Sequence, residues 1–500
     1  MTATSDRAEQ TRDLARSGAV SFVGAAGSAA LGFALTVVLA RSLGEVGSGV
    51  VLQMVGVFAI AMSLAKLGMD SVAVWLMPRL DDPQEIRGCL TFMAAVAAAC
   101  GTVAGLLVVV TARGLVGAGS TGTDELVRAL HAVGWFLPVG VLVLVLLAAT
   151  RGLGGVLPYV AVGSLGLPAA RPVLVLLVVG AGGSAVAASL AWAAPLPVAM
   201  LAALLVLRSQ VRRREAGTRG PWWPRRSRRR AVVRYALPRT ASAGLEQSVL
   251  WLDVLLVGAI AGTAAAGVYG AASRLVMAGL VVDTAVRVVV SPRFSGLLHH
   301  GRLADLQDLY RTAATWLVLF STPVYVVLAV FGSVVLGWFG PGFAAGAPVL
   351  VILSVGAVVA LAAGNVHSVL LMSGHSGWAA LNKAVVVVLN VVGNLVLIPY
   401  LGLAGAAITW AVSMVVDAAL AAVQVRILVG VVVELRAVAY GLAVALLTVG
   451  GPALAARLLV GADGAGLAVA VATGAVALAT WCLLDRRRLH LDQLLPRRTR

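Results

Sequence analysis

Long apolar runs alternate with short polar breaks along the whole chain. Fourteen such runs can be traced in the sequence, and most of them reach the ~20 apolar residues that a membrane-spanning helix requires. They lie at residues 17–40, 47–68, 88–112, 129–149, 153–180, 184–207, 235–261, 265–290, 312–337, 346–371, 378–399, 403–425, 437–456 and 465–484. This pattern predicts an all-α polytopic membrane protein with about 14 transmembrane helices.

The composition agrees with this pattern. Hydrophobic residues make up 60% of the 500 residues, charged residues make up 12%, and the mean hydropathy is +0.98. A water-soluble protein of this size cannot bury so much apolar surface. A soluble enzyme, a secreted disulfide scaffold, a disordered chain and a nucleic-acid-binding module are therefore excluded. Cys89, Cys100 and Cys482 have no metal-like spacing, and we expect no cofactor.

The distribution of the basic residues that give the net charge of +17 indicates the orientation of the chain in the membrane. If the N-terminus is cytoplasmic, 28 of the 38 basic residues fall in cytoplasmic segments, four in external loops and six within spans. Cytoplasmic loops of membrane proteins carry an excess of Lys and Arg. Both termini are therefore predicted to be cytoplasmic, and the charge gives no reason to expect a nucleic-acid partner.

The chain is predicted to consist of two halves and two appended helices. A Gly-x4-Gly turn occurs at positions 44–49 and again, at the corresponding place in the second half, at 262–267, and internal repeats are typical of transporters. The predicted segments are a cytoplasmic tail (1–16), an N-lobe of helices one to six (17–207), a cytoplasmic basic linker (208–234), a C-lobe of helices seven to twelve (235–428), two appended helices (429–484) and a basic cytoplasmic tail (485–500).

The linker combines arginines with tryptophans. The basic cluster 225–230 follows Trp222 and Trp223, a combination that suits an interfacial segment on anionic lipid headgroups. The alternative is a marker of orientation with no specific partner, and the sequence favours this second interpretation.

Three charged residues lie on the predicted seventh helix. Arg239, Glu246 and Asp253 are spaced by seven residues, which keeps them on one helical face. A charge at the bilayer centre costs about 2.5–3.5 kcal/mol on insertion scales, so such residues face a partner or a water-filled cavity. Arg239 can reach the cytoplasmic surface, but the two acidic residues are too deep, and we expect the stripe to line a cavity.

Other intramembrane polar residues allow two interpretations. The pairs Lys66/Asp70 and Asp283/Arg287 have i,i+4 spacing, which suits internal ion pairs as well as a cavity. Asn390 and Asn394 have the same spacing and suit hydrogen bonds between helices. The remaining intramembrane charges are Arg171, Arg274, Lys383 and Asp417.

No catalytic motif is present in the sequence. The six histidines show no paired-ligand spacing, and there is no Walker A sequence for ATP hydrolysis. We therefore do not expect an enzyme. A membrane glycosyltransferase or polymerase is disfavoured as well, because the predicted external loops are too short to hold a catalytic domain.

Several segments resemble a known family. The span from Asn382 through Asn390 and Asn394, followed by Ile398-Pro399 and Gly402-x-x-Gly405-Ala-Ala, is similar to that of polysaccharide flippases. These belong to the multidrug/oligosaccharidyl-lipid/polysaccharide exporter superfamily, which also contains MATE-type multidrug extruders and lipid II flippases. Further similar segments are Leu39-Ala-Arg41-Ser-Leu-Gly44, Leu252-Asp253, Gly267-Val-Tyr269-Gly-Ala-Ala-Ser-Arg274, Ser291-Pro292, Phe339-Gly-Pro-Gly-Phe343 and Leu371-Met-Ser-Gly374.

The resemblance implies a transporter of two six-helix lobes that works by alternating access in the bacterial cytoplasmic membrane. Its implied substrate is an undecaprenyl-pyrophosphate-linked oligosaccharide, moved from the inner to the outer leaflet for surface polysaccharide synthesis. The residues expected to bind the substrate anion are Arg239, Arg274, Arg287 and Lys383. Glu246 and Asp253 are expected to be counter-charges or to couple transport to protons or sodium, and Asn390 and Asn394 to pack helices or line the cavity.

The expected partners are membrane lipids, the lipid-linked oligosaccharide, and the polymerase and glycosyltransferases of the same process. Two functions of the same superfamily stay open as alternatives. A cation-coupled multidrug extruder would favour an acidic cavity, whereas a lipid II flippase would be essential for viability.

Overall fold

A computed structural model describes residues 2–80, 82–115, 122–215, 221–486 and 488–489. These residues are almost entirely helical, and none of them is in a strand. Most of the predicted C-terminal tail, including Arg487 and Arg497–Arg500, lies outside the described residues. The predicted N-terminal tail begins at Met1, which also lies outside them, and the first helix is assigned from Thr2 onward.

The chain folds as two compact units, Met1–Gly267 and Val268–Arg500. The helices up to the boundary are α1 (Thr2–Ala65), α2 (Met69–Leu76), α3 (Pro83–Leu115), α4 (Thr123–Gly134), α5 (Leu137–Gly152), α6 (Val156–Pro158), α7 (Leu167–Gly180), α8 (Ala185–Ala193), α9 (Pro195–Glu215) and α10 (Arg226–Ala261). A π-helix, Tyr159–Gly166, joins α6 to α7, and a 3₁₀ turn, Met77–Arg79, follows α2.

The next helix, α11 (Thr263–Gly279), begins at the end of the first unit. The second unit continues with α12 (Val281–His299), α13 (Leu303–Val330), α14 (Gly332–Gly337), α15 (Ala347–Leu361), α16 (Val366–Met372), α17 (Ser376–Leu401), α18 (Leu403–Leu428), α19 (Leu435–Ala445), α20 (Gly451–Leu459) and α21 (Gly464–Leu484). A 3₁₀ helix, Pro341–Gly346, precedes α15, and a π-helix, Leu446–Gly450, joins α19 to α20.

The described residues contain 12 helices that are long and apolar enough to cross a membrane, or 13 if the pair α4 and α5, bent by 52°, forms one span. The predicted all-α polytopic fold is therefore confirmed, and the number 14 is approximate. The difference arises in α1, whose 43-residue apolar part, Val23–Ala65, contains most of the first two predicted spans. At 1.5 Å per residue this part is about 65 Å long, twice the ~30 Å of a bilayer core. Gly44 breaks it with φ 65° and ψ −166°.

The predicted repeat has a structural counterpart in the first unit. Gly262 has φ 94° and ψ 167°, so it interrupts the chain between α10 and α11 in nearly the same conformation as Gly44 does within α1. Side chains other than glycine rarely adopt positive φ. The two Gly-x4-Gly turns therefore begin with the same glycine-dependent break.

The two turns also contact each other. A Cβ atom on Gly49 would lie 1.8 Å from the carbonyl oxygen of Thr263, and a Cβ atom on Gly267 would lie 2.2 Å from that of Glu45. Both distances are far below van der Waals contact, so only glycine fits at either position. In each contact a glycine of one turn lies against a backbone carbonyl oxygen of the other turn, so the two turns make equivalent contacts to each other.

The core of the first unit lies where α2, α3 and α9 pack around α5. Met69, Met93 and Val141 are fully buried in this cluster. The linker is joined to its edge, because Arg228 pairs with Glu85 at 2.6 Å and the ring of Trp223 packs edge-on against Phe92.

The second unit is built around the antiparallel pair α17 and α18, with α15 packed against α18. Phe294, Tyr310 and Val369 fill the contact between α12, α13 and α16. The hydroxyl of Tyr310 donates to the carbonyl oxygen of Ala363, which follows α15. These contacts fix α16 beside α18 and position the polar residues of both helices.

The division into two six-helix lobes stays a prediction. The predicted linker 208–234 lies inside the first compact unit, which also contains the predicted seventh helix as α10.

Candidate functional site: intramembrane charges

The stripe on α10 contains side chains in different environments. Arg239 and Glu246 are exposed, whereas Asp253 is buried. Pro238 lies inside the helix immediately before Arg239, and a proline at this position removes a backbone hydrogen bond and bends a helix. The predicted stripe therefore consists of two accessible charges, Arg239 and Glu246, and one buried charge, Asp253.

Close packing against α1 holds α10 in place. The Ser63 hydroxyl donates to the carbonyl oxygen of Ala243 at 3.1 Å. A Cβ atom on Gly244 would lie 2.5 Å from the Leu64 side chain, and one on Gly258 would lie 1.8 Å from the Gln53 amide oxygen. Small residues allow two helix backbones to approach closely in a membrane. The charged residues of α10 therefore lie on a helix that is closely packed against α1.

In the second unit, a lysine and a histidine side chain meet at one carboxylate. Asp417 of α18 is buried and receives a hydrogen bond from Lys383 of α17 at 2.5 Å. The Nε2 atom of His367, on α16, lies 3.2 Å from the same carboxylate oxygen. The carboxylate is 5% exposed, whereas the lysine and histidine side chains are about one third exposed. The buried charge of Asp417 is therefore paired with Lys383 and lies beside His367, and both of these side chains remain accessible.

Amide side chains continue this network along α17. Asn382 and Gln424 exchange two hydrogen bonds, of 2.8 and 2.7 Å, between α17 and α18. Farther along α17, Asn394 donates to Asn390 at 3.0 Å. The first pair joins α17 to α18, and the helix-packing or cavity role of the second pair stays a prediction.

The i,i+4 pairs form ion pairs. Lys66 and Asp70 are 2.8 Å apart at the end of α1, and Arg287 donates to Asp283 on α12. Arg274 lies half-buried on α11 with a guanidinium nitrogen 3.6 Å from the Met277 sulfur. Ion pairing was one of the two interpretations of these pairs, and the geometry supports it.

The predicted site residues belong to two units. Arg239, Glu246 and Asp253 lie in the first unit, and the others lie in the second. Within the second unit, Lys383 meets Asp417, and Asn390 meets Asn394. Among the described residues, no group of three or more His, Cys, Asp or Glu side chains is arranged to hold a metal ion.

Sequence reasoning missed His367, because it considered only the spacing between histidines. The sequence does contain a signal for the neighbouring pair, Lys383 and Asp417. Lys383 precedes the turn at Gly402, and Asp417 follows that turn at a similar separation along the chain. In an antiparallel helix pair these positions have similar depths, so an ion pair could have been expected. His367 comes from a third helix and has no such local signal.

Fold and composition together define a multi-span membrane protein. Residues 14–298, more than half of the chain, match the family described as polysaccharide biosynthesis protein, and the chain belongs to that family. A probable low-salt glycan biosynthesis flippase, Agl15, of Haloferax volcanii is 26% identical over 175 residues. That match covers 34% of this chain and 36% of the relative, so the chain spans only about a third of the length of this curated relative.

Solved structures share the fold over most of the chain. The lipid II flippase MurJ in an inward closed conformation has a TM-score of 0.72 at 11% identity, covering 92% of this chain and 98% of that one. A multidrug resistance MATE family transporter of the MOP superfamily, in an inward-facing conformation, has a TM-score of 0.62 at 15% identity, covering 80% and 94%. The predicted resemblance to polysaccharide flippases is confirmed by the family match, and these structures show that the fold is shared as well.

Proposed function

We propose that the protein is a flippase that moves an undecaprenyl-pyrophosphate-linked oligosaccharide from the inner to the outer leaflet of the bacterial cytoplasmic membrane. The observation that carries the proposal is the match of residues 14–298 to the polysaccharide biosynthesis protein family. The similarity to a probable glycan biosynthesis flippase and the fold shared with MurJ give further support.

The charges within the spans suit this substrate. A pyrophosphate and its sugars cannot cross hydrocarbon without a polar path, and arginine is well suited to bind phosphate through paired hydrogen bonds. Arg239 and Arg287 are exposed within their spans, where a charge is tolerated if it faces water or a partner. We assign the substrate anion to Arg239, Arg274, Arg287 and Lys383.

Two of these residues already have an acidic partner, which gives them a second role. Lys383 pairs with Asp417, and Arg287 pairs with Asp283. In the proposed cycle the substrate anion replaces the carboxylate, so each pair is a rest position for its basic residue. Glu246 and Asp253 act as counter-charges or as carriers of a coupling proton or sodium ion during alternating access.

The orientation of the chain fits transport toward the outer leaflet. The arginine distribution predicts cytoplasmic termini and a cytoplasmic linker. The oligosaccharide would therefore be supplied by glycosyltransferases on the inner face and consumed by a polymerase on the outer face.

Neutralising one assigned arginine in each unit tests the proposal. The double variant R239Q/R274Q should lose surface polysaccharide in whole cells while the amount of protein in the membrane stays unchanged. The matched control R302Q/R426Q removes two exposed arginines at helix ends and should export normally. Unchanged export by R239Q/R274Q would refute the assignment.

A lipid II flippase is the second candidate, and the MurJ match over nearly the whole chain favours it. Depletion of the protein separates the two functions. Loss of a polysaccharide flippase should leave viable cells without surface polysaccharide, whereas loss of the only lipid II flippase should cause lysis. A multidrug extruder would instead give drug resistance that depends on a proton or sodium gradient.

A further inference from the structure

A basic cavity lies at the end of the second unit where α19 begins and α21 ends. Its volume is about 380 Å³, and it is an open cavity lined by α13, α19 and residues 488 and 489 after α21. Its charged lining residues are Arg311, Arg436, Arg488 and Glu434. None of these residues belongs to the proposed transport site.

The cavity carries an uncompensated positive charge. Arg311 is paired with Asp308 at 3.3 Å and with Glu434 at 3.7 Å. Across the part of the chain that the structure describes, neither Arg436 nor Arg488 has an ion pair. Two exposed guanidinium groups therefore line the same cavity without an acidic partner.

Aromatic side chains fix the shape of this cavity. The Arg488 guanidinium lies 4.4 Å from the centre of the Tyr440 ring, and the Tyr440 hydroxyl is hydrogen-bonded to Asp485. The indole nitrogen of Trp316 donates to the carbonyl oxygen of Leu489 at 2.7 Å. Leu489 is fully buried. The segment after α21 is thus docked onto α13 and α19, and Arg488 is held at the cavity wall.

The position of the cavity at the ends of two candidate spans suits the membrane–water interface. The candidate spans Leu435–Leu459 and Gly464–Leu484 begin and end beside it. Leu435, Leu483 and Leu484 are each more than 70% exposed, so a bilayer at this level would bring lipid chains next to the arginines. Tyrosine and tryptophan are also enriched at this level of membrane proteins.

We propose that this cavity binds the phosphodiester headgroup of an anionic phospholipid. The arginines would bind the phosphate oxygens through charge-assisted hydrogen bonds, and the exposed leucines would contact the acyl chains. Basic pockets between transmembrane helices are suited to anionic lipid headgroups. The site is independent of the proposed transport function, because it uses none of the same side chains.

Lipid binding by the full-length protein tests the proposal. The protein is purified in a neutral detergent, and its thermal unfolding is followed during titration with phosphatidylglycerol, phosphatidylcholine or inorganic phosphate. Phosphatidylglycerol should raise the melting temperature saturably, and phosphatidylcholine should not. In R436Q/R488Q the apparent affinity for phosphatidylglycerol should fall by about 30-fold, from roughly a fivefold loss per arginine.

Matched variants make the result specific. The control R302Q/R426Q removes the same charge from exposed positions of the same unit outside the cavity and should bind phosphatidylglycerol like the wild type. R436K/R488K keeps the charge and should recover part of the affinity.

Three outcomes would overturn the proposal. One is an equal affinity of R436Q/R488Q and the wild type for phosphatidylglycerol. Another is an equal loss of affinity in the control variant, which would indicate general charge attraction. The third is a saturable stabilisation by inorganic phosphate alone that matches the effect of the lipid, which would identify a free anion as the ligand.

Discussion

Gly49 lies directly against the backbone carbonyl oxygen of Thr263, at a separation that leaves no space for a side chain. The contact joins the turn after Gly44 to the turn after Gly262, and Gly267 repeats it against Glu45. Because the opposing atoms belong to the backbone, they cannot move aside as the end of a side chain could.

We expect Gly49→Ala to destabilise the protein. Forcing a methyl group against a fixed carbonyl should lower the free energy of unfolding by about 1–3 kcal/mol, the usual range for overpacking. The measurement is the thermal unfolding of the purified protein in detergent. Gly32→Ala is the control, because a Cβ atom there meets no atom within 4 Å. If both variants unfold at the wild-type temperature, the close contact is not important for stability.

Gly258→Ala should cost less than Gly49→Ala, although the added atom would again lie 1.8 Å from its neighbour. Here the neighbour is the amide end of Gln53, which can rotate away and lose its 3.2 Å hydrogen bond to the Gly49 carbonyl. The loss of one buried hydrogen bond is worth about 1 kcal/mol.

The same unfolding measurement on Q53A/G258A provides the check. The double variant should be less destabilised than the sum of the two single changes, because Gln53→Ala removes the atom that the new methyl group meets. Simple additivity of the two changes would contradict this explanation.

The Lys383–Asp417 pair should show strong coupling. Lys383→Met removes the closest partner of a buried carboxylate, and because the lysine is 31% exposed the cost should be below the ~3–5 kcal/mol of a fully buried pair. The double variant K383M/D417N should recover much of this loss, since it also removes the charge. Thermal unfolding of the two single variants and the double variant gives the coupling energy.

A coupling energy near zero would mean that the pair contributes little to the fold. In that case Lys383 would be available to the substrate without competition. Export measured on the same variants then separates a structural role from substrate binding.

The predicted orientation can be tested by thiol labelling. Ala462 lies exposed between α20 and α21, in a predicted external loop, and Ser227 lies exposed in the predicted cytoplasmic linker. In a parent without the three native cysteines, A462C should react with a membrane-impermeant maleimide in intact cells. S227C should react only after the membrane is opened. The reverse pattern would invert the predicted topology.

The apolar pattern predicted the fold well because a bilayer imposes the same helix length on every span. All fourteen predicted runs overlap helices, and the number of spans depends on how the chain is divided at Gly44 and at the bend between α4 and α5. One glycine is enough to break a helix, and a single glycine hardly changes the pattern of apolar residues. The number of separate spans is therefore harder to predict than the fold.

The candidate site was less predictable, because charge partners are set by packing between distant helices. The local pair Asp283/Arg287 could be predicted from its spacing. His367 and Asp417 are far apart along the chain, and only the position of α16 beside α18 brings them together. The cavity near Arg436 was not predicted either, since the segment that completes it follows the last apolar run.

The exchanged glycine contacts follow a two-fold relationship. Glu45 and Gly49 hold the same places in the first turn as Thr263 and Gly267 hold in the second, so the two contacts are related as the two halves of a self-complementary, two-fold interface. Each turn supplies one glycine and one carbonyl oxygen. A substitution of one glycine therefore disturbs one contact and leaves the equivalent contact in place.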